Sequence, residues 1–201
     1  MQRDCQRHLS RLLGPIADQP DHLAARLLYR FGSIARISQA SEIELRRAAN
    51  KGETWAEAII VGRKLVEDGL RESLVRTNLN HSQSMLRSYL LATMQHLTEE
   101  RMVAIFADYA GEIIAEEIIA YGAETDVRVT PRKLFGRALN LDAQRIVLAH
   151  NHPSGCSSPS KHDIEQTHSL TKQAAGLGMT IEDHLIVGYR RVTSMRERGL
   201  L

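Results

Sequence analysis

Cysteine is nearly absent from this chain. Cys5 and Cys156 are the only two, too few for a disulfide framework. Aromatic residues are equally scarce, at 4% of 201 residues, so the core is expected to be built from Leu, Ile, Val and Ala. No apolar run approaches the roughly 20 residues that span a bilayer. Arg3, Asp4, Arg7 and Arg11 leave no apolar signal core at the start, and a cytoplasmic location is expected. A dominant charge of one sign is missing too, with 26 Lys/Arg against 24 Asp/Glu. Residues 1–78 carry 13 basic and 10 acidic side chains, a net of +3, while residues 79–201 carry 13 and 14, a net of −1. Neither stretch has the clustered basic surplus of a strong phosphate binder. No internal repeat or low-complexity segment is visible. What is present, 43% hydrophobic and 25% charged residues, is ordinary for a globular chain that buries a core. The length permits one large or two small domains.

From Leu9 to about Arg76 the pattern is helical. His22–Phe31 places Leu23, Leu27 and Phe31 on one stripe, Gly32 stops it, and Ser33 begins the next element. Ser41 with Glu44 three residues later reads as a capping box. Thr54 precedes a long apolar series from Trp55 through Leu65. The polar stretch from Arg71 to Ser84 contains an expected hinge at residues 77–80. The second half alternates strands and helices, which indicates an α/β fold. A helix is expected from Met85 to Leu97, then a hairpin with strands Met102–Asp108 and Glu112–Ala120. A short strand at Val127–Thr130 precedes a helix opened by Pro131 at its permitted first position. Met179–Val187 returns as a further strand.

The most informative stretch begins at Arg145. Arg-Ile-Val-Leu-Ala is a short, partly β-branched run of the kind that forms a buried strand. His150 and His152 follow at two-residue spacing, so both project to one side of its end. Pro153, Gly155 and Pro159 enforce a loop, and a helix is expected from Ser160, with Asp163 in its first turn. There the positive end of the helix dipole favours a carboxylate. Two imidazoles and one carboxylate form a nitrogen/oxygen ligand set, and three protein ligands leave one zinc position open. Cys156 is a conceivable fourth ligand, read here as a bystander thiol. A zinc deaminase would need His-x-Glu and Pro-Cys-x-x-Cys, and neither is present. The histidines at 22, 81, 96 and 162 lack partners at ligand spacing and are expected at the surface, whereas His168 is expected along the packed side of its helix. For His184 a buried, hydrogen-bonded anchor and a role behind the metal ligands are both open.

Met102–Leu201 resembles the bacterial RadC-like branch of the JAB/MPN (JAMM) zinc metalloproteases. The residues that carry the resemblance are His150-Asn151-His152-Pro153-Ser154-Gly155, Pro159-Ser160 with Asp163, and Thr167. They are joined upstream by Ile114-Ala115-Glu116-Glu117 with Gly122 and by Pro131-Arg132. Downstream come Asp183-His184-Leu185-Ile186-Val187-Gly188 and the terminal Glu197-Arg198-Gly199-Leu200-Leu201. The resemblance implies a mixed β-sheet flanked by helices over residues 79–201, preceded by a small all-α region over residues 1–78. It implies one Zn2+ on His150, His152 and Asp163, with Ser160 supporting the tetrahedral intermediate. Glu117 would then be the general base, the spacing to Gly122 selecting it over Glu116. The implied activity is hydrolysis of a peptide or protein substrate, as a metallopeptidase or isopeptidase. The alternatives are a DNA-associated repair or recombination module and a zinc-binding domain without catalysis.

In RadC-like proteins the N-terminal region resembles a helix-hairpin-helix, whose paired glycines let backbone amides approach a DNA phosphate. Here residues 49–54 read Ala-Asn-Lys-Gly-Glu-Thr, with a single glycine and an added Glu53. Duplex DNA is therefore expected to bind weakly, with a salt slope equivalent to about two or three phosphate contacts. Fluorescence titration of residues 1–78 and of the full chain at several salt concentrations measures this. Sub-micromolar binding at physiological salt, abolished by changing Lys51 or Arg63 and Lys64, would put the DNA-associated alternative first.

Overall fold

The computed structural model describes residues 2–50, 53–75, 77–122 and 129–201. Its contacts divide the chain into two compact units, Met1–Val66 and Glu67–Leu201, the division falling inside a long helix. Residues 51 and 52 of the N-terminal turn, and 127 and 128 of the expected short strand, lie outside the described residues.

The first unit is all helical, with α1 (Gln2–Leu13), α2 (Pro20–Phe31), α3 (Ile34–Gln39), α4 (Glu42–Ala48) and the start of α5 (Trp55–Leu74). Local chemistry sets each boundary. Gly32 ends α2 at φ 83° and donates its N–H to the Leu28 carbonyl, a left-handed cap that a side chain would strain. The Ser33 hydroxyl accepts from the Arg36 N–H, and Ser41 and Glu44 form the expected reciprocal capping box of α4. Leu13, Leu27, Leu45, Trp55 and Ile60 are almost fully buried in one apolar cluster. Glu53 is anchored inward. Its carboxylate accepts from Arg26 at 2.5 Å, from the Asn50 N–H at 2.8 Å and from the Trp55 indole N–H at 2.8 Å. The acid in the degenerate turn is thus matched to a cation of its own unit.

The second unit is α/β. A mixed five-stranded sheet runs in the order β2-β1-β3-β4-β5, with β1 (Arg101–Ala107), β2 (Ile113–Tyr121), β3 (Arg145–Asn151), β4 (Thr180–Gly188) and β5 (Arg191–Ser194). Only β3 and β4 run parallel, joined by α8 (Lys161–Gly176). Strand β3 is central and apolar on both sides because both faces are covered. Ile146 and Leu148 pack with residues of α7 (Pro131–Asn140) and α8, while Val147 and Ala149 pack with α6 (Gln83–Met94) and the end of α5. Each fully buried side chain of the size of Leu148 or Phe106 contributes about 1.5–3 kcal/mol. No helix among the described residues is long and apolar enough to cross a membrane.

Four local expectations change. Residues 77–80 are not a free hinge: the Leu79 N–H donates to the Gly111 carbonyl, the Ile113 N–H donates to the Thr77 carbonyl, and Asn78 bridges to Glu112. The polar side chains that read as a hinge are the ones that pin this segment to the β1–β2 turn. Strand β5 was not expected, because four residues ending in Thr and Ser carry no alternating apolar pattern. The His96 side chain is not at the surface: it is 6% exposed and lies near Glu67. His168 is exposed and faces the Leu200 carbonyl at 2.9 Å, away from the packed side of α8.

Glu53 supplies a test of the first unit. Burial pushes its carboxyl up, but the bonds from Arg26, Asn50 and Trp55 win and hold it at about 2. A carboxylate with a depressed folded value stabilises above its unfolded value and loses that contribution as the pH falls through the folded one. Glu53→Gln should therefore lower the unfolding midpoint at pH 7, with the difference from wild type closing between about pH 4.5 and about pH 2. Thermal unfolding followed by circular dichroism reads both curves. A difference that does not change over that range would show that the Glu53 charge contributes nothing.

Candidate metal centre

Three elements deliver the centre. Strand β3 ends at His150-Asn151, and His152 follows while still bound to the sheet through its N–H to the Val187 carbonyl at 2.9 Å. Asn151, the middle residue of the His-Asn-His run, fixes this end. It accepts from the Arg101 N–H at 2.8 Å and donates to the Glu99 carbonyl at 3.0 Å. The chain then turns through Gly155, at φ 80°, whose N–H closes onto the His152 carbonyl. That loop lies hard against the end of β4. At Gly188 an added Cβ would come within 2.7 Å of the Ser157 backbone nitrogen, so glycine is required there for the loop to approach.

Helix α8 supplies the carboxylate. Ser160 is its N-cap, accepting the Asp163 N–H at 3.1 Å, while Asp163 Oδ2 accepts the Ser160 N–H at 2.7 Å and its hydroxyl at 2.6 Å. The capping box that starts the helix also orients the Asp163 carboxylate. His150 Nε2 lies 2.8 Å from His152 Nε2 and 3.2 Å from Asp163 Oδ1, and His152 Nε2 lies 3.5 Å from Asp163 Oδ2. The His150 side chain is only 2% exposed, whereas His152 and Asp163 retain 14% and 12%, so the cluster reaches solvent on their side.

The donor chemistry of this cluster fits a cation. His152 Nδ1 faces the Cys156 carbonyl at 2.7 Å, and a carbonyl only accepts, so Nδ1 carries the hydrogen and Nε2 of the neutral ring a lone pair. Two such nitrogens and a carboxylate crowd together only if a proton or a metal ion lies among them. Without a metal the proton takes that place. The Asp163 carboxylate and the Cys156 carbonyl hold the His152 imidazolium above its usual range. Burial pushes the Asp163 carboxyl up, but its bonds to His150, His152 and Ser160 hold it far below the normal carboxylate range. Among the described residues, these three are the only group of three or more His, Cys, Asp or Glu side chains placed to share one metal ion. The Cys156 thiol is not in that group; this residue acts through its carbonyl.

The adjacent glutamates separate cleanly. In the β1–β2 register Glu117 lies opposite Ala104, which in turn lies opposite Leu148, on the face of the sheet that carries His150. Glu116 lies opposite Ile105 on the other face, 2.9 Å from Arg71 Nε and almost fully buried. There burial and the Glu116 charge push the Tyr89 hydroxyl up to about 12. Glu117 is not drawn into the metal cluster. Both of its oxygens lie 2.8 Å from Arg137 Nε, and Oε1 is also 2.6 Å from an Arg137 terminal nitrogen. No local pattern marks Arg137, because the pair joins residues twenty apart through the packing of β2 on α7. Local pattern also leaves undecided the partners of His184 Nδ1 and Nε2, which are Thr167 Oγ1 and His150 Nδ1. A cavity of about 560 Å3 between α6 and the sheet, lined by Leu86, Arg145 and Glu182 among others, lies on the face away from His150.

The family described as RadC-like JAB domain matches residues 80–200. A "UPF0758 protein" of Rhodobacter capsulatus is 34% identical over 179 residues, covering 89% of this chain and 84% of its own length. A "UPF0758 protein" of Ralstonia pickettii is 32% identical over 177 residues, covering 88% and 79%. One from Leptothrix cholodnii is 34% identical over 179 residues, covering 89% and 81%. With a His/His/Asp cluster between the end of β3 and the first turn of α8 and similarity along most of its length, the chain belongs to the RadC-like JAB domain family.

Proposed function

We propose that this protein is a zinc-dependent hydrolase acting on peptide or isopeptide bonds. The observation that carries the reading is the convergence of His150 Nε2, His152 Nε2 and the Asp163 carboxylate at a partly open rim. Three protein ligands, where a structural site uses four, are the mark of a catalytic zinc. When bound there, zinc would supply Lewis acidity that lowers the pKa of water and polarises a carbonyl.

The remaining work falls to side chains. Glu117, on the His150 face, would take a proton from the attacking water and pass it to the leaving amine. For that it must release at least one of its two oxygens from Arg137. Ser160 would donate to the carbonyl oxygen as negative charge develops, which requires its hydroxyl to turn away from Asp163 Oδ2. These two engagements favour one second reading, a zinc-binding domain without turnover, in which Arg137 and Asp163 keep both groups occupied.

Three variants separate the readings. Wild type should hold about one zinc per chain, and His152→Ala and Asp163→Ala should each lose most of it, since each removes a ligand. Glu117→Gln should keep the metal while cleavage across a peptide panel falls by about 100-fold or more. Zinc content by elemental analysis, measured alongside cleavage, reads all three. Wild-type zinc in both ligand variants would overturn the metal assignment. A full zinc complement with no cleavage by wild type would select the non-catalytic reading.

A further inference from the structure

Behind the metal-facing atoms runs a chain of buried polar contacts. His150 Nδ1 lies 2.8 Å from His184 Nε2, His184 Nδ1 lies 2.6 Å from Thr167 Oγ1, and Thr167 Oγ1 lies 2.6 Å from the Asp163 carbonyl oxygen. His150, His184 and Thr167 are all almost completely buried, so solvent does not decide who donates.

The direction of the chain follows from its far end. A carbonyl oxygen only accepts, so the 2.6 Å contact at Asp163 requires the single Thr167 hydroxyl hydrogen. The Met195 sulfur, 3.8 Å away, is a weaker acceptor. With that hydrogen spent, Thr167 Oγ1 can only accept from His184, and His184 Nδ1 must carry an N–H. A neutral imidazole has one such hydrogen, which leaves His184 Nε2 as an acceptor. The His184 ring is almost completely buried and its two nitrogens face Thr167 Oγ1 and His150 Nδ1, with no carboxylate to compensate a second ring hydrogen, so the arrangement fits the neutral ring. His150 Nδ1 therefore donates to it, and the lone pair of neutral His150 is left on Nε2, the atom that faces His152 and Asp163.

We propose that Thr167 and His184 are positioning residues that lock His150 in its Nδ1–H tautomer, so that its Nε2 is always presented bare to the metal. The inference rests on the metal reading above for its consequence, though not for its geometry. The chain closes on itself, since Asp163 supplies both a carboxylate to the centre and the carbonyl that sets the direction. It ties β3, β4 and α8 into one unit. An imidazole that carried its hydrogen on Nε2 would point it into the centre, where it must be displaced before a cation can bind.

The test is nitrogen-15 NMR of the histidine rings in the zinc-free full chain at one fixed pH, combined with zinc affinity by chelator competition. In wild type, His184 and His150 should both show a protonated Nδ1, and His184 a bare Nε2. Thr167→Val removes the acceptor at nearly constant volume. His184 should then move its hydrogen to Nε2, His150 should follow, and zinc affinity should fall by about 10- to 100-fold. Thr167→Ser should restore both tautomers and affinity. A wild-type His184 protonated at Nε2 overturns the proposal, even if the valine variant fails to fold. So does a folded Thr167→Val protein with wild-type tautomers and affinity. Wild-type tautomers as assigned in a protein that binds no zinc would support the chain and reject the metal reading.

Discussion

Two imidazole nitrogens 2.8 Å apart, with a carboxylate oxygen 3.2 Å from one of them, repel each other unless positive charge lies among them. The second unit is arranged around keeping that arrangement in place. Each imidazole is held from behind by its other nitrogen, His152 by the Cys156 carbonyl and His150 by His184. The carboxylate is held by the first turn of α8 through Ser160. The three side chains come from the end of a central strand and the start of the helix that follows it. Both are rigid elements, and the loop between them is pinned to β4 where Gly188 lets it approach.

The sheet also sorts the acids around the centre. Because neighbouring residues on a strand face opposite ways, Glu116 and Glu117 enter different environments from adjacent positions. The Glu116 side chain is 4% exposed and pairs with Arg71, whose Nε also reaches the Tyr89 hydroxyl at 3.3 Å. Glu117 lies on the face of His150 and is paired with Arg137, itself 42% exposed, an ion pair that water weakens. The two arginines are similarly exposed, and the difference lies in the carboxylates: the Glu117 side chain is 32% exposed and that of Glu116 4%, so water competes for Glu117 alone.

The sequence was most legible where local rules dominate. The run Arg145–Ala149 is apolar at every position after Arg145 because β3 is covered on both faces, and Pro153, Gly155 and Pro159 mark the loop without ambiguity. Ser160 and Asp163 announce both a helix start and a ligand position through one capping pattern. The sequence was silent where partners meet only through tertiary packing. Nothing in the spacing joins Glu117 to Arg137, or Thr167 to His184, because each pair spans two elements brought together by the shared apolar cluster beneath them. Strand β5 escaped for the opposite reason: its pairing with β4 is local, but its four residues carry too little apolar pattern to register. Residues 77–80 read as a hinge because Asn usually marks free turns, whereas here the Asn78 and Asn80 side chains donate to the Ala110 carbonyl in the β1–β2 turn.

The central claim is that two imidazoles and one carboxylate hold a single zinc ion, with no sulfur. X-ray absorption at the zinc edge on the zinc-loaded protein tests it most directly. The account predicts nitrogen and oxygen neighbours at about 2.0–2.1 Å, with the outer-shell scattering of two imidazole rings. A sulfur neighbour at about 2.3 Å, which only Cys5, Cys156 or a methionine would supply, or a spectrum without imidazole scattering, would contradict it.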